Sequence, residues 1–337
     1  MIVSVTERGT FRRCNYQWHL TAKNGLHLEP ITTAPYLSIG TLMHKGGESW
    51  LLNPARPYEF HVRAAAVEME QSLKDRYKRI TRTNISAAEM APFNESMEKA
   101  VAMAHNYQVR WGSPIPDEFV CIQPEQKIQI PIPGTEHECE VCKGRQRLSG
   151  FTEDYNFASP VCPSCNGTGV ELHVLEGRLD GLLQKRSDGS IWVLERKTYG
   201  NRPKPESLVF NDQFLAYLWM LWKLEVANVG GIAYDGIWSR ATPPRGSTME
   251  DLFLRRLLTR SMREIELFGF HLAVEVNQMA AIQASGVYIP NRQWQGCWDC
   301  KTSKICDAYM RGEPTDVIVR SGFVERTDDV EEGVSEE

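Results

Sequence analysis

An apolar run that ends in charged residues constrains the fold of this chain more than any other segment. Residues 191–194 are apolar, and Glu195, Arg196 and Lys197 follow them directly. Because side chains alternate along a strand, Glu195 and Lys197 are predicted on the same face. Turn-forming residues at 185–190 precede the run, and an earlier segment, 177–180, ends in Asp180. The two segments are therefore predicted to form a hairpin that brings Asp180 close to Glu195.

This pair of carboxylates indicates a site for a divalent cation. Two neighbouring carboxylates repel each other unless a cation lies between them, and their hard oxygen atoms suit Mg²⁺ or Mn²⁺. Lys197 would add a positive charge where an attacking water or a phosphorane develops negative charge. An acidic residue two positions before a lysine also occurs on ordinary solvated strands, so the pattern needs support from elsewhere in the chain.

Two predicted helices supply that support. Gly40 and His44 lie in a helix upstream of the hairpin, and Gln213 and Tyr217 lie in the helix that follows it. Gln213 and Tyr217 are four residues apart and therefore neighbours on one helix face. Taken singly, a histidine or a polar helix face is structural more often than functional. The ordered series G-x-x-x-H, G-x-x-D, E-x-K and Q-x-x-x-Y is not expected by chance.

These four motifs resemble the RecB-like branch of the PD-(D/E)XK nuclease superfamily. That branch includes CRISPR-associated and phage-encoded exonucleases and the nuclease domain of the AddB helicase-nuclease subunit. The resemblance implies an α/β fold with a restriction-endonuclease-like core, in which helices flank a central mixed sheet. It also implies that the chain is a metal-dependent nuclease.

The resemblance assigns roles to individual residues. The catalytic set that it implies is His44, Asp180, Glu195, Lys197, Gln213 and Tyr217. His44, Asp180, Glu195 and the main-chain carbonyl of Arg196 would bind Mg²⁺ or Mn²⁺, and Lys197 would orient the water or stabilise the transition state. Gln213 and Tyr217 would hold the DNA backbone near the scissile phosphate. The side chain of Arg196 departs from the family pattern, because many relatives carry an apolar or aromatic residue there.

The nine cysteines point to metal sites rather than disulfides. Residues 1–8 lack the apolar core of a signal peptide, and no apolar run approaches transmembrane length. We therefore expect a chain without membrane segments in the cytoplasm of a bacterial or phage-infected cell. In such a reducing compartment, C-x-x-C pairs bind metals more often than they form disulfides.

One cysteine set combines the two ends of the chain. Cys297, Cys300 and Cys306 lie near the C-terminal end, and Cys14 lies near the N-terminus. From spacing alone, a four-cysteine zinc site is favoured. The resemblance instead implies a [4Fe–4S] cluster, because the same pattern marks the iron-sulfur branch of these nucleases. The cluster would be structural, since it would close a loop of nearly the whole chain. Zinc at these four positions stays open as an alternative.

A second cysteine set predicts a zinc module. Cys139, Cys142, Cys162 and Cys165 form two C-x₂-C pairs separated by 19 residues, which is a strong zinc signal. Glycines after each pair allow tight turns around the thiolates, and the half-sites resemble the repeats of the DnaJ zinc region. The module, 133–170, is predicted as an insertion between two strands of the nuclease sheet. It is either a metal-stapled loop or a finger that binds DNA or a partner.

Composition and periodicity give the remaining organisation. The predicted nuclease domain comprises 1–132 and 171–324, with a helical lobe at about 53–112. Residues 325–337 hold seven acidic residues and one arginine, so of the net charge of −5 this predicted disordered tail contributes −6 and the body +1. A near-neutral body is compatible with DNA binding in a local groove.

Periodicity also places the individual elements. Helices are predicted at 4–20, 38–52, 59–80, 86–111, 207–225 and 262–283, and strands at 126–132, 230–238 and 251–259, besides those of the hairpin. No G-x-x-x-x-G-K-[ST] phosphate-binding loop is present, so any helicase or recombination motor would act in trans.

The expected function is that of a metal-dependent DNA exonuclease. The resemblance implies single-stranded DNA or DNA ends as substrate, in recombination, repair or phage replication. The alternative is a DNA-binding or scaffolding subunit of a larger helicase-nuclease or CRISPR adaptation complex. The sequence leaves the oligomeric state and the cleavage polarity open.

Overall fold

The computed structural model describes most of the chain. The described residues are 1–30, 39–146, 161–200, 205–292, 297–298 and 300–326, apart from the side chains of Arg76 and Ile80. The middle of the zinc module, 147–160, and the acidic tail from residue 327 onwards lie outside the described residues. Within the described part, no helix combines the length and the apolar character that crossing a membrane requires.

Strands and helices are interspersed along the described part of the chain. The strands are β1 (Ile2–Ser4), β2 (Leu28–Pro30), β3 (Phe119–Pro131), β4 (His137–Glu138), β5 (Val170–Glu171), β6 (Val174–Lys185), β7 (Ile191–Tyr199), β8 (Val229–Trp238), β9 (Phe253–Leu258) and β10 (Phe323–Glu325). The main helices are α1 (Val5–Arg13), α2 (Asn15–Thr21), α3 (Ile39–Leu52), α4 (Tyr58–Thr81), α5 (Ala87–Trp111), α6 (Asp212–Lys223) and α7 (Met262–Ser285). Two short helices, Ser303–Met310 and Asp316–Gly322, follow.

A mixed sheet in the order β1-β6-β7-β8-β9 forms the centre of the structure. Strand β3 runs antiparallel along the whole of β6, so it occupies one edge of that strand. Strands β1 and β7 share the other edge, because β1 pairs with 174–176 and β7 with 181–184. Residues 177–180 therefore lie where the sheet splits. The predicted central mixed sheet flanked by helices is confirmed.

The hairpin that carries the two acidic motifs forms as predicted. Strands β6 and β7 are antiparallel, and Gly189 takes the left-handed conformation (φ 70°) in the turn between them. Asp188 Oδ1 accepts a hydrogen bond of 2.9 Å from the main-chain nitrogen of Ser190 and so fixes the turn. Strand β8 runs parallel to β7, and its pairing covers the second motif from Glu195 to Lys197.

Two hydrophobic clusters lie on opposite sides of the sheet. One joins the sheet to α6 and α7, with Phe214, Trp219 and Leu272 fully buried. The other joins α3, α4 and α5 to the ends of β8 and β9. Helix α5 begins at a capping box of Ser86 and Glu89, which satisfies the first main-chain nitrogens. The predicted helical lobe therefore packs on the sheet together with the helix that carries His44.

The N-terminal region differs from its prediction. The single helix expected over 4–20 is interrupted at Cys14, whose backbone is extended (φ −163°, ψ 112°). Cys14 ends α1 and caps α2, since its sulfur accepts a hydrogen bond of 3.4 Å from the main-chain nitrogen of Gln17. Periodicity could not reveal this break, because both helices continue the same apolar pattern.

The helix and strand predicted downstream of the hairpin also begin later than expected. Residues Pro205–Phe210 form a 3₁₀ helix ahead of α6, and Met249–Leu252 form another ahead of β9. At the C-terminal end, β10 pairs with β2, and the main-chain nitrogen of Arg326 donates to His27 O at 2.7 Å. Strand pairing and main-chain hydrogen bonding therefore include the first two residues of the predicted disordered tail, Glu325 and Arg326.

Candidate active site

The four sequence motifs meet where the sheet splits. Nδ1 of His44, on α3, lies 3.2 Å from Oδ1 of Asp180, on β6. Oδ2 of Asp180 accepts a hydrogen bond of 2.6 Å from the main-chain nitrogen of Arg196, on β7. Nζ of Lys197 lies 2.9 Å from Oε1 of Glu195. The structure thus places His44, Asp180, Glu195 and Lys197 in one continuous group, as the hairpin predicts.

The two carboxylates have opposite electrostatic environments. Glu195 is 1% exposed, and burial, followed by the nearby charge of Asp180, raises its pKa to about 7 against the opposing effect of Lys197. Burial would also raise the pKa of Asp180, but the charge and hydrogen bond of His44 and the amide of Arg196 outweigh it and lower that pKa. Without a cation, one carboxylate of the pair is therefore ionised and the other resists ionisation.

These residues fit a divalent metal ion. Oε1 of Glu195 is buried, and the ammonium group of Lys197 lies 2.9 Å from it. A hard cation would satisfy this oxygen and remove the repulsion from Asp180. Two carboxylates, a main-chain carbonyl and an imidazole form a donor set suited to Mg²⁺ or Mn²⁺. His44, Asp180, Glu195 and the carbonyl of Arg196 would hold such an ion.

The Gln213 and Tyr217 pair supports the catalytic strand from α6. The side-chain nitrogen of Gln213 donates to the Tyr217 hydroxyl at 2.5 Å, and that hydroxyl donates to the main-chain oxygen of Arg178 at 2.7 Å. Tyr217 is buried. Its hydroxyl therefore satisfies a main-chain carbonyl of β6 two residues before Asp180. This carbonyl lies between the part of β6 that pairs with β1 and the part that pairs with β7. A DNA contact by the half-buried Gln213 stays a prediction.

Sequence reasoning missed a second acidic pair beside Asp180. Glu125 of β3 lies opposite Asp180, between the aligned pairs 124–181 and 126–179, and its Oε1 is 2.9 Å from Nε of Arg178. Glu48 lies one helical turn after His44 on α3. Burial, then a hydrogen bond to Glu125, raises the pKa of Glu48 to about 7. The i, i+4 spacing of His44 and Glu48 was a signal for this neighbour, whereas Glu125 depends on the strand register.

Comparison with known proteins agrees with this geometry. The family model of the PD-(D/E)XK nuclease superfamily matches residues 2–307. The chain belongs to this superfamily. No curated protein shows significant similarity to it. Membership confirms the restriction-endonuclease-like fold and a nuclease of the metal-dependent class, and the matched region includes every motif residue from His44 to Tyr217.

The second cysteine set of this PD-(D/E)XK protein has the geometry of a zinc site. The sulfur atoms of Cys139 and Cys162 are 3.8 Å apart, those of Cys142 and Cys165 are 3.7 Å apart, and all four lie within 4.8 Å of one another. Tetrahedral zinc with Zn–S bonds of ~2.3 Å separates its thiolates by roughly 3.8 Å. The site therefore fits Zn²⁺ without rearrangement.

The backbone around these cysteines forms the tight turns that the sequence predicts. Gly144, Gly167 and Gly169 have positive φ angles, and the main-chain nitrogen of Gly169 donates to the sulfur of Cys165 at 3.3 Å. Such amides stabilise thiolates. Strands β4 and β5 close the base of the module by pairing His137 with Glu171.

The first cysteine set gathers around the end of α1. The main-chain nitrogen of Asn291 donates to the sulfur of Cys14 at 3.4 Å, and the sulfur of Cys297 lies 3.8 Å from the main-chain oxygen of Asn291. Burial, and then Cys14, Cys297 and Cys300, raise the pKa of the Cys306 thiol, so the four thiols share one neighbourhood. In the described residues they do not converge closely enough to share a single ion. Four neighbouring thiols are a donor set that either a zinc ion or a [4Fe–4S] cluster can use.

Proposed function

We propose that this chain is a metal-dependent DNA exonuclease that hydrolyses phosphodiester bonds. The observation that carries the proposal is the buried Glu195 beside the partly buried Asp180, with Lys197 in contact with Glu195 and His44 in contact with Asp180. A buried carboxylate pair costs stability unless a cation compensates it. A DNA-binding scaffold would give no reason to keep such a pair, so the catalytic interpretation is preferred to the scaffolding one.

Each residue of the site has a distinct task in this proposal. Asp180, Glu195, His44 and the carbonyl of Arg196 hold one or two Mg²⁺ or Mn²⁺ ions. When bound, these ions supply an activated water and neutralise charge on the scissile phosphate. Burial would lower the pKa of Lys197, but Glu195 outweighs it and raises that pKa. Lys197 therefore stays protonated and stabilises the developing negative charge rather than acting as a base.

The proposed substrate is single-stranded DNA or a DNA end, in recombination, repair or phage replication. The half-exposed guanidinium of Arg178 lies two residues from Asp180 on the same strand face and could contact a phosphate at the mouth of the site. We propose that a helicase or recombination partner supplies the DNA ends. We propose Zn²⁺ for the module at Cys139–Cys165 and a [4Fe–4S] cluster for Cys14, Cys297, Cys300 and Cys306.

Linear and circular substrates test the exonuclease assignment. With Mn²⁺, the protein should degrade linear single-stranded DNA and leave a single-stranded circle of the same sequence intact. Asp180→Ala should leave both intact, whereas Glu68→Ala, a change of an exposed carboxylate on α4, should behave as wild type. Cleavage of the circle at a rate similar to that of the linear strand would contradict the exonuclease proposal and indicate an endonuclease.

A further inference from the structure

A row of alternating charges crosses three strands beneath the helical lobe. Arg196 of β7 is aligned with Asp235 of β8, and Asp235 is aligned with Arg255 of β9. Nε of Arg196 lies 3.5 Å from Oδ2 of Asp235, and Nε of Arg255 lies 3.5 Å from Oδ1. Arg196 and Asp235 are each only 2% exposed. The row therefore lies on the face opposite Glu195 and Lys197 and is removed from water.

The helical lobe holds both ends of this row. The hydroxyl of Tyr107, on α5, donates to Oδ2 of Asp235 and accepts a hydrogen bond of 2.5 Å from Nη2 of Arg255. Nη2 of Arg255 also donates to the main-chain oxygen of Ser113 at 3.1 Å. Nη2 of Arg196 donates to the main-chain oxygen of Pro114 at 3.0 Å. Both guanidinium groups are thus fixed to the chain that leaves α5.

Helix α3 approaches the side chain of Arg196 closely at Gly47. A Cβ atom added at Gly47 would lie 2.1 Å from Nη1 of Arg196 and 3.2 Å from the hydroxyl of Tyr58. The guanidinium therefore occupies the space that a side chain at position 47 would need. Gly47 lies three residues after His44 on the same helix, so this contact sets the distance between α3 and β7 next to the active site.

The main chain of Arg196 serves the active site directly. Its nitrogen donates to Oδ2 of Asp180 at 2.6 Å, and the next peptide leads to Lys197. In the proposed function its carbonyl is a metal ligand. The same residue thus has its side chain fixed in the buried row and its main chain in the site. An apolar side chain would be cheaper to bury than a guanidinium, but it would offer no directional contacts.

We infer that the Arg196 side chain is a positioning residue that fixes the metal-binding backbone of β7, through Asp235, the Pro114 carbonyl and the close approach of Gly47. The inference rests on the proposed function for the identity of the ligands. Its consequence is that loss of the guanidinium weakens metal binding even though Arg196 is not within the carboxylate pair. Changes in groups that orient metal ligands typically cost about 10–100-fold in metal affinity.

The test compares Arg196→Met with Arg255→Met in the full-length protein. Both changes remove a guanidinium from the same aspartate, but only residue 196 has its main chain in the active site. Calorimetric titration with Mn²⁺ should show an affinity loss of about 10–100-fold for Arg196→Met and wild-type affinity for Arg255→Met. Thermal unfolding curves ensure that each titration is made well below the unfolding temperature of the variant.

The outcomes separate this inference from the proposed function. Wild-type Mn²⁺ affinity in Arg196→Met, or equal losses in both variants, would overturn the positioning role. A wild-type protein that binds Mn²⁺ but cleaves no DNA would overturn the nuclease proposal alone, because the affinity comparison would still be decisive. A wild-type protein that binds no Mn²⁺ would overturn both.

A second variant covers the case in which Arg196→Met does not fold. Gly47→Ala displaces the guanidinium with a methyl group and removes no charge. It should reduce Mn²⁺ affinity in the same direction as Arg196→Met. Unchanged affinity in Gly47→Ala would contradict the inference.

Discussion

At the scale of single residues, the environment of each charged group indicates its task. Burial would raise the pKa of Asp180, but His44 and the main-chain nitrogen of Arg196 outweigh this effect and lower that pKa. Burial and the charge of Asp180 raise the pKa of Glu195 to about 7 against the opposing effect of Lys197. Metal binding would therefore be linked to loss of a proton from the pair.

Replacing Lys197 should separate catalysis from metal binding. Lys197→Met removes a positive charge that lies 2.9 Å from Glu195. We expect the single-turnover cleavage rate to fall by about 10²–10³-fold, because the negative charge that develops in the transition state loses a positively charged neighbour. Mn²⁺ affinity should not fall, since a competing cation is gone. Lys223→Met, on the exposed end of α6, is the control and should cleave like wild type. A cleavage rate equal to that of wild type in Lys197→Met would exclude the proposed role.

Glu48 should make the stability of the chain depend on pH. Burial and the hydrogen bond to Glu125 raise its pKa from 4.5 to about 7, so the folded state binds a proton that the unfolded state releases. Stability from this group is full below about pH 4.5 and is lost as pH rises towards about 7. Without added divalent metal, Glu48→Gln should melt above wild type at about pH 8 and equally at about pH 5.

The exposed Glu68→Gln on α4 is the control for this comparison and should melt like wild type at both pH values. Identical melting of Glu48→Gln and wild type across the whole range would show that Glu48 does not share a proton with Glu125 in the folded protein.

The sequence predicts the proximity of the proposed catalytic residues better than it predicts the groups that support them. Asp180, Glu195 and Lys197 follow from strand alternation and one hairpin, which are local properties. The buried partners of Arg196 could not be predicted in this way. Asp235 and Arg255 lie on strands whose register with β7 is set by the packing of the whole sheet, and Gly47 matters only because α3 crosses that sheet.

At the scale of elements, the split edge of β6 explains why a helix must support the active site. Strands β1 and β7 leave residues 177–180 without a partner strand on that edge. A main-chain carbonyl left unpaired in a buried place is costly, and the Tyr217 hydroxyl satisfies that of Arg178. Tyr217 of the Q-x-x-x-Y motif therefore stabilises the strand segment that carries the G-x-x-D motif.

The folding of the zinc module should depend on its four cysteines, and loss of one of them should leave the central sheet folded. Cys142→Ser removes one thiolate of the four, so metal analysis should show the loss of one zinc ion per chain. Protease cleavage should then begin near residues 139–170, since β4 and β5 close only a short hairpin. Cys121→Ser, on β3 outside the module, is the control and should retain zinc. Wild-type zinc content in Cys142→Ser would refute the assignment.

Element boundaries mark the limit of prediction from periodicity. The long helices α4, α5 and α7 match the predicted ranges closely because their apolar positions repeat over many turns. The interruption at Cys14 was missed because a cysteine cap carries no periodic signal. Periodicity also does not separate the two 3₁₀ segments from the helix and the strand that follow them, because segments of six and four residues are too short to show a period.

At the scale of the whole molecule, the N-terminal and C-terminal parts of the described chain meet beside the nuclease core. Strand β10 pairs with β2, and Cys14 lies next to Asn291 ahead of the C-terminal cysteines. Helix α1 is fixed in turn to α7, because Nη2 of Arg8 donates to the buried carboxylate of Glu275 at 2.6 Å. Cys14 therefore reaches its partners through an element that is already anchored in the core.

A cluster at Cys14, Cys297, Cys300 and Cys306 should close nearly the whole chain. Anaerobically purified protein should be brown, and Cys14→Ser should be colourless, whereas Cys121→Ser should keep its colour. By the loop-closure estimate for cross-links, the stability lost is on the order of 5 kcal/mol, which denaturant unfolding would measure. A colourless wild-type protein with two zinc ions per chain would replace the iron-sulfur assignment with a second zinc site.

The central claim is that metal-dependent hydrolysis of DNA occurs at the carboxylate pair. The most direct test incubates end-labelled single- and double-stranded DNA with Mn²⁺ or Mg²⁺ and wild type, Asp180→Ala or Lys197→Ala. We predict metal-dependent degradation by wild type, none by Asp180→Ala and a strong reduction by Lys197→Ala, with DNA binding retained in both variants. Intact DNA after incubation with folded, metal-replete wild type would contradict the claim and favour the scaffolding subunit.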